Sequence, residues 1–75
     1  MELPDPTRAD LVQRLRRIEG QVRGIQAMVE DGRECRDVVT QISAAAHALE
    51  QVGFKLLAGG LAWCLEHPAA AEAAG

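Results

Sequence analysis

Tyrosine is absent from the sequence, and Phe54 and Trp63 are the only aromatic side chains, so large anchors for a core are scarce. Two cysteines in 75 residues are too few for a disulfide framework. No apolar run reaches the ~20 residues needed to cross a bilayer. The opening stretch MELPDPTRAD lacks the basic and apolar regions of a secretory signal. The expectation is a cytoplasmic protein with no membrane partner, whose thiols stay reduced and are reactive or metal-binding rather than structural. Neither a catalytic triad, a phosphate-binding loop nor a carboxylate pair is present, which argues against a conventional enzyme. A chain this short closes only a modest core and needs a staple or a partner.

Alanine and leucine are plentiful, and their spacing is helical. Leu11, Leu15, Ile18, Val22, Ile25 and Val29 recur at alternating steps of four and three, a coiled-coil-like seam. Asp5-Pro6 or Thr7 can open this helix and Gly32 can cap its end, which sets it over about residues 6–30. Cys35, Val38, Ile42, Ala45, Leu49, Val52, Leu56, Gly59 and Trp63 repeat the rhythm over about residues 34–66. At 1.5 Å per residue this second helix is about 50 Å long, too long to hide its stripe against the first alone. Gly59-Gly60 could break it, but the unbroken seam on both sides favours continuation. Gly20 and Gly24, one turn apart, suit close helix approach. Residues 68–75, after Pro68, make a short third helix or a frayed tail, and residues 1–5 an N-terminal tail. The reading is one all-α domain over 1–75, with two long antiparallel helices, completed by association with copies of itself.

Net charge is −3, yet residues 14–23 carry Arg14, Arg16, Arg17 and Arg23 against Glu19 alone, a basic patch on an acidic protein. Cys35 and Cys64 are 29 residues apart, eight helical turns plus about 20°, so they face nearly the same way. Along one helix they are about 43 Å apart, far beyond the ~6 Å between α-carbons that a disulfide needs. An antiparallel copy, related by a two-fold axis near mid-helix, sets Cys35 of one chain beside Cys64 of the other, twice. Gly60 borders the same place. Two readings stay open: a thiol pair across an interface, or two small buried apolar residues.

The stretch RLRRIEGQVRGIQAMVEDGRECRDVVTQIS, residues 14–43, closely resembles the CsoR/RcnR family of bacterial metal- and stress-sensing transcriptional repressors, and the match runs on to Cys64. The resemblance implies an antiparallel four-helix-bundle dimer, assembled as a dimer of dimers, that binds operator DNA and is released by a ligand. The copper-sensing branch holds Cu(I) with cysteines at the positions of Cys35 and Cys64 and a histidine at that of Gly60. That histidine is missing here. The nickel/cobalt branch does not fit Leu3, Gly60 and Cys64, and the formaldehyde branch needs a proline where Glu2 stands. The sequence looks most like the CstR-like, persulfide-sensing branch, which keeps both thiols and lacks the histidine.

The implied function is therefore a repressor with reactive sulfur species as inducer and no cofactor. The start of a helix favours negative charge at Cys35, and Arg33 and Arg36 flank it, against Glu34 and Asp37. Cys35 is the expected nucleophile and Cys64 of the other chain the resolving thiol. The alternative is a Cu(I)-responsive repressor using Cys35, Cys64 and His67, three residues beyond Cys64. His47, mid-helix and far from both thiols, reads as a surface residue. Arg14 matches an arginine the family uses on its operator, and Arg16, Arg17 and Arg23 add to the phosphate-facing surface. Ala46 and Gln51 stand where relatives often carry a basic residue. A second alternative follows from that departure: a redox or sulfur-handling bundle that does not bind DNA.

Overall fold

The computed structural model describes residues 3–67, and within them the side chains of residues 62–64 lie outside the description. Two helices account for nearly all of it: α1 (Asp5–Glu30) and α2 (Cys35–Glu66), with no strand among the described residues. The expected segment 68–75 falls outside the described residues.

Pro4, at φ −54° and ψ 144°, stands just before α1, and Pro6 is its second residue, where a missing N–H costs nothing. Residues 1 and 2 of the expected N-terminal tail lie outside the described residues. Asp5 is helical, and Leu3 packs against the core. The exit from α1 is a Schellman turn. Gly32 adopts φ +69°, its N–H donates to the Val29 carbonyl (3.2 Å), and the Arg33 N–H reaches the Met28 carbonyl (3.0 Å). Glu34 then caps α2, its carbonyl accepting from the N–H groups of Asp37 (3.0 Å) and Val38 (3.1 Å). Both helix boundaries agree with the periodicity to within one residue.

α2 runs unbroken through Gly59-Gly60. Gly59 lies against the first turn of α1: a Cβ there would meet Leu3 Cδ2 and Thr7 Cγ2, both at 3.4 Å, at the near edge of ordinary van der Waals contact. Gly20 and Gly24 differ from the expectation. Both are exposed, and a Cβ on either meets nothing within 4 Å, so they create no close approach between α1 and α2.

The helices pack as an antiparallel hairpin 49 × 24 × 15 Å, one layer of two helices. Among the described residues its buried apolar side chains are Leu11, Ile18, Ala45 and Val52, with Leu3, Ala48 and Leu56 partly buried around them, and none is completely enclosed. The seam on each helix is divided. Leu11, Ile18 and Ile25 turn toward α2, while Leu15, Val22 and Val29 remain exposed. On α2, Ala45 and Val52 are buried, while Ile42 and Leu49 are about half exposed at 47% and 51%. A two-helix layer gives each helix one neighbour, so the other half of each stripe has nothing to cover it.

Candidate functional site

The uncovered halves meet in an open apolar groove lined by Ile18, Val22, Ile25, Ile42, Ala45, Ala46 and Leu49. The α2 side of this groove continues along the helix in steps of three and four through Cys35, Val39, Ile42, Ala46, Leu49, Gly53, Leu57, Gly60 and Cys64. Every described side chain in that series is exposed; Gly60, which has none, is buried. Positions 35 and 64 therefore lie at the two ends of one helix face, about 43 Å apart, as the unbroken α2 requires.

Cys35 is the first residue of α2 and an exposed free thiol. Arg33 is drawn across the start of α2 to Asp37 (Nη2–Oδ2 3.8 Å), so one of its flanking cations is already shared. Cys64 sits two residues before the end of α2. His67 is exposed and lies one residue past that end. Among the described residues no three His, Cys, Asp or Glu side chains gather in one place, so a single hairpin builds no multidentate metal centre. Two thiols on one face are still a suitable donor set for a soft monovalent cation, provided the second thiol comes from another chain.

The four arginines of α1 do not form one patch. Arg14 and Arg17, three residues apart, share a face. Arg16 and Arg23, seven apart, share another, and Arg16 is about 200° around the helix from Arg14. Arg16, Arg17 and Arg23 are exposed and make no ion pair among the described residues. Arg14 is held: its Nε donates to Asp10 Oδ2 at 2.9 Å. Lys55, from α2, approaches the same oxygen at 3.7 Å. Nothing in the sequence pairs Lys55 with Asp10, which are 45 residues apart; the Asp10–Arg14 spacing of four was the one legible signal. Of the positions where a basic residue was missed, Ala46 lines the apolar groove, and exposed Gln51 sits 3.4 Å from His47 Nε2. Exposed His47 also lies 4.0 Å from Glu50, which agrees with a surface role.

Asp10 titrates low. The hydrogen bond from Arg14 holds its carboxyl below the ordinary range, partial desolvation opposes this, and the charges of Arg14 and Lys55 add to the lowering. A depressed folded-state value means stability that is present above the unfolded carboxylate pKa of about 3.9 and is lost as pH falls through the folded value. Asp10→Asn should therefore melt below wild type at pH 6, and the gap should narrow as the pH falls below the unfolded carboxylate value of about 3.9. Melting curves across that range measure it.

The metal-sensitive transcriptional repressor family matches residues 7–74 of the chain. The copper-sensing transcriptional repressor RicR of Mycobacterium tuberculosis (strain ATCC 25618 / H37Rv) is 54% identical over 52 residues, 69% of this chain and 54% of that protein. The copper-sensing transcriptional repressor CsoR of Bacillus subtilis (strain 168) is 55% identical over 47 residues, 63% of this chain and 46% of that protein. The chain thus spans about half the length of these curated relatives. The crystal structure of the copper-sensing repressor CsoR with Cu(I) from Geobacillus thermodenitrificans NG80-2 superposes with a TM-score of 0.78 at 42% identity, covering 91% of this chain and 75% of that one.

Proposed function

The chain belongs to the family of metal-sensitive transcriptional repressors, and from that premise we propose that it is a Cu(I)-responsive repressor, released from operator DNA when Cys35 of one protomer and the partner's Cys64 hold the ion. The family is one of repressors and not of enzymes. Among the described residues no helix is long and apolar enough to cross a membrane, and the proposed place of action is the cytoplasm. The observation that carries the reading is the α2 face that runs between positions 35 and 64, apolar along its length and with its described side chains exposed. Copper sensing by the relatives supports Cu(I), rather than reactive sulfur species, as the inducer.

The same face argues for its own occupant. Placing a second copy antiparallel, with Cys35 opposite the partner's Cys64, brings Val39 opposite the partner's Gly60, Ile42 opposite the partner's Leu57, and Ala46 opposite the partner's Gly53. Val39 and Ala46 meet glycines and Ile42 meets leucine, so one rotation pairs these positions without a clash of large side chains. A second exposed stripe, Phe54, Leu61 and Leu65, lies on the side of α2 away from α1. We assign it to contact between two such dimers.

In this arrangement the thiolates supply two soft ligands and the apolar face excludes water. Bound Cu(I) would contribute a bond between subunits that the free protein lacks. DNA release then follows from the repacking of α2 against α1, the helix that carries the arginines. His67 is the nearest further donor in sequence, just beyond the helix end.

One observation favours the second reading, a sensor of reactive sulfur: position 60, a histidine in the copper-sensing branch that the sequence resembles, is a buried glycine. There the Cys35 thiolate would take the outer sulfur of a persulfide R–S–SH, expelling R–S⁻. The partner's Cys64 thiolate would then attack the Cys35 sulfur, leaving a disulfide and releasing HS⁻. Intact-mass measurement after separate exposure to Cu(I) and to a persulfide donor, with operator affinity followed in parallel, separates the two. The copper reading expects two Cu(I) per dimer that survive a competing chelator and abolish DNA binding. Covalent dimers that release DNA, with Cu(I) lost to the chelator, would replace it with the sulfur reading. DNA binding in neither protein state would favour a redox or sulfur-handling bundle.

A further inference from the structure

Resting on the repressor reading, we propose that Lys55 is a DNA phosphate contact, supplied by α2 to a flank that it forms with Arg14 and Arg17 of α1. Asp10 is the residue that assembles this flank. Its Oδ2 accepts from Arg14 Nε at 2.9 Å and lies 3.7 Å from Lys55 Nζ. One carboxylate thus gathers two cations from different helices and leaves them with a net positive charge. Because Asp10 uses the Nε edge of the guanidinium, both terminal nitrogens of Arg14 are without a partner among the described residues, and they are the pair that grips a phosphate. Arg17, exposed and unpaired among the described residues, extends the line by one turn.

The flank is open in the proposed dimer. Lys55 lies nine residues before position 64 and 20 after position 35, about 180° and 160° around α2 from the cysteine face. A partner that covers that face leaves Lys55 in solvent; its side chain is 50% exposed in the single hairpin. The same geometry gives α2 a cation one turn beyond Gln51, a position where the sequence resemblance leads one to expect a basic residue. It also distinguishes the α1 arginines: Arg14 and Arg17 belong to the surface that reads phosphate together with α2, whereas Arg16 and Arg23 face away from it.

The test uses the full chain, a duplex of the region upstream of its own coding sequence, and a scrambled duplex of equal length. Affinity is measured from 50 to 300 mM salt for wild type, Lys55→Gln, Lys55→Arg and Arg14→Ala. A phosphate contact predicts that Lys55→Gln weakens binding roughly fivefold or more on both duplexes. It should lower the slope of log affinity against log salt by about 0.9 per contacting protomer. Lys55→Arg should bind as wild type does. If Arg14→Ala loses affinity while Lys55→Gln keeps wild-type affinity and slope, Lys55 serves only the helix pairing, whatever its melting temperature, and the inference is overturned with the repressor reading intact. Wild-type protein that binds neither duplex overturns both.

Discussion

Leu49→Glu should leave the protein largely unfolded and monomeric at micromolar concentration. Leu49 is 51% exposed in the hairpin, an ordinary value for a surface residue, and on that basis a charge there would be harmless. The proposed register makes it the centre of the interface. The two-fold axis that pairs Cys35 with the partner's Cys64 passes between positions 49 and 50, so each Leu49 packs beside its own symmetry mate. Removing it costs about 2 kcal/mol of apolar burial for each protomer. Placing two glutamates across the axis adds a desolvation penalty of several kcal/mol.

Loss of the proposed dimer would be a loss of the fold, because the hairpin has little else to hold it. Leu11, Ile18, Ala45 and Val52 are the buried apolar side chains among the described residues, whereas Leu15, Val22, Val29, Ile42, Leu49 and Leu57 are exposed. A single layer of two helices rarely supplies more than about 3–5 kcal/mol, and here only about half of each stripe contributes. Val12→Glu is the matched control. Val12 is 40% exposed on the Arg16 side of α1, off the groove, and a charge there should change stability by no more than about 0.5 kcal/mol. Far-UV circular dichroism and sedimentation equilibrium report both quantities. A Leu49→Glu protein with wild-type helicity and mass would mean that the cysteine face is not where copies meet.

The sequence disclosed the helices because they are built from strictly local signals. Gly32 at a left-handed turn, Pro6 in a first turn and the three-four apolar rhythm each act within a few residues, and the structure follows them to within one position. It disclosed the register of Cys35 and Cys64 for the same reason: on an unbroken helix, spacing is direction. What it did not disclose required the second helix to be laid against the first. Gly59 looked like a weak point in α2 and is the seat of Leu3 and Thr7. Leu3 itself looked like tail. The four arginines looked like one patch, since they are close in sequence, but 100° per residue scatters them over two faces. Lys55 carried no signal at all, because its partner Asp10 is on the other helix. Gly60 remains the position where sequence and relatives pull in different directions. A histidine is missing there from a protein whose family senses metal, so the two thiols suffice, His67 supplies the further donor, or the inducer is not a metal.

Cys35→Ser and Cys64→Ser should each abolish the response to inducer, and mixing the two variants should restore part of it. Each single variant, as a homodimer, has one thiol at each of its two sites. Loss of even a supporting residue of a metal site costs 10–100-fold in affinity, so loss of a ligand should cost at least about 100-fold. DNA affinity without inducer should stay at the wild-type level, because both substitutions lie on the face of α2 opposite Lys55. Mixed and refolded together, the variants pair at random, and about half of the dimers contain one chain of each kind. In such a dimer one site has two serines and the other has two cysteines, Cys64 from the first variant facing Cys35 from the second. The mixture should therefore bind about a quarter of the wild-type Cu(I), with wild-type affinity at the sites that survive. The geometry is indifferent to the inducer: with a persulfide donor, cross-linked dimers should appear in the mixture and in neither variant alone. A site formed within one chain cannot be rescued in this way, since every chain in the mixture lacks one of its thiols. Nor can a parallel pairing, which would set each cysteine against its own symmetry mate and leave the homodimers reactive. Chelator-competition titration and non-reducing electrophoresis of the mixture thus read the orientation of α2 against its partner directly from chemistry.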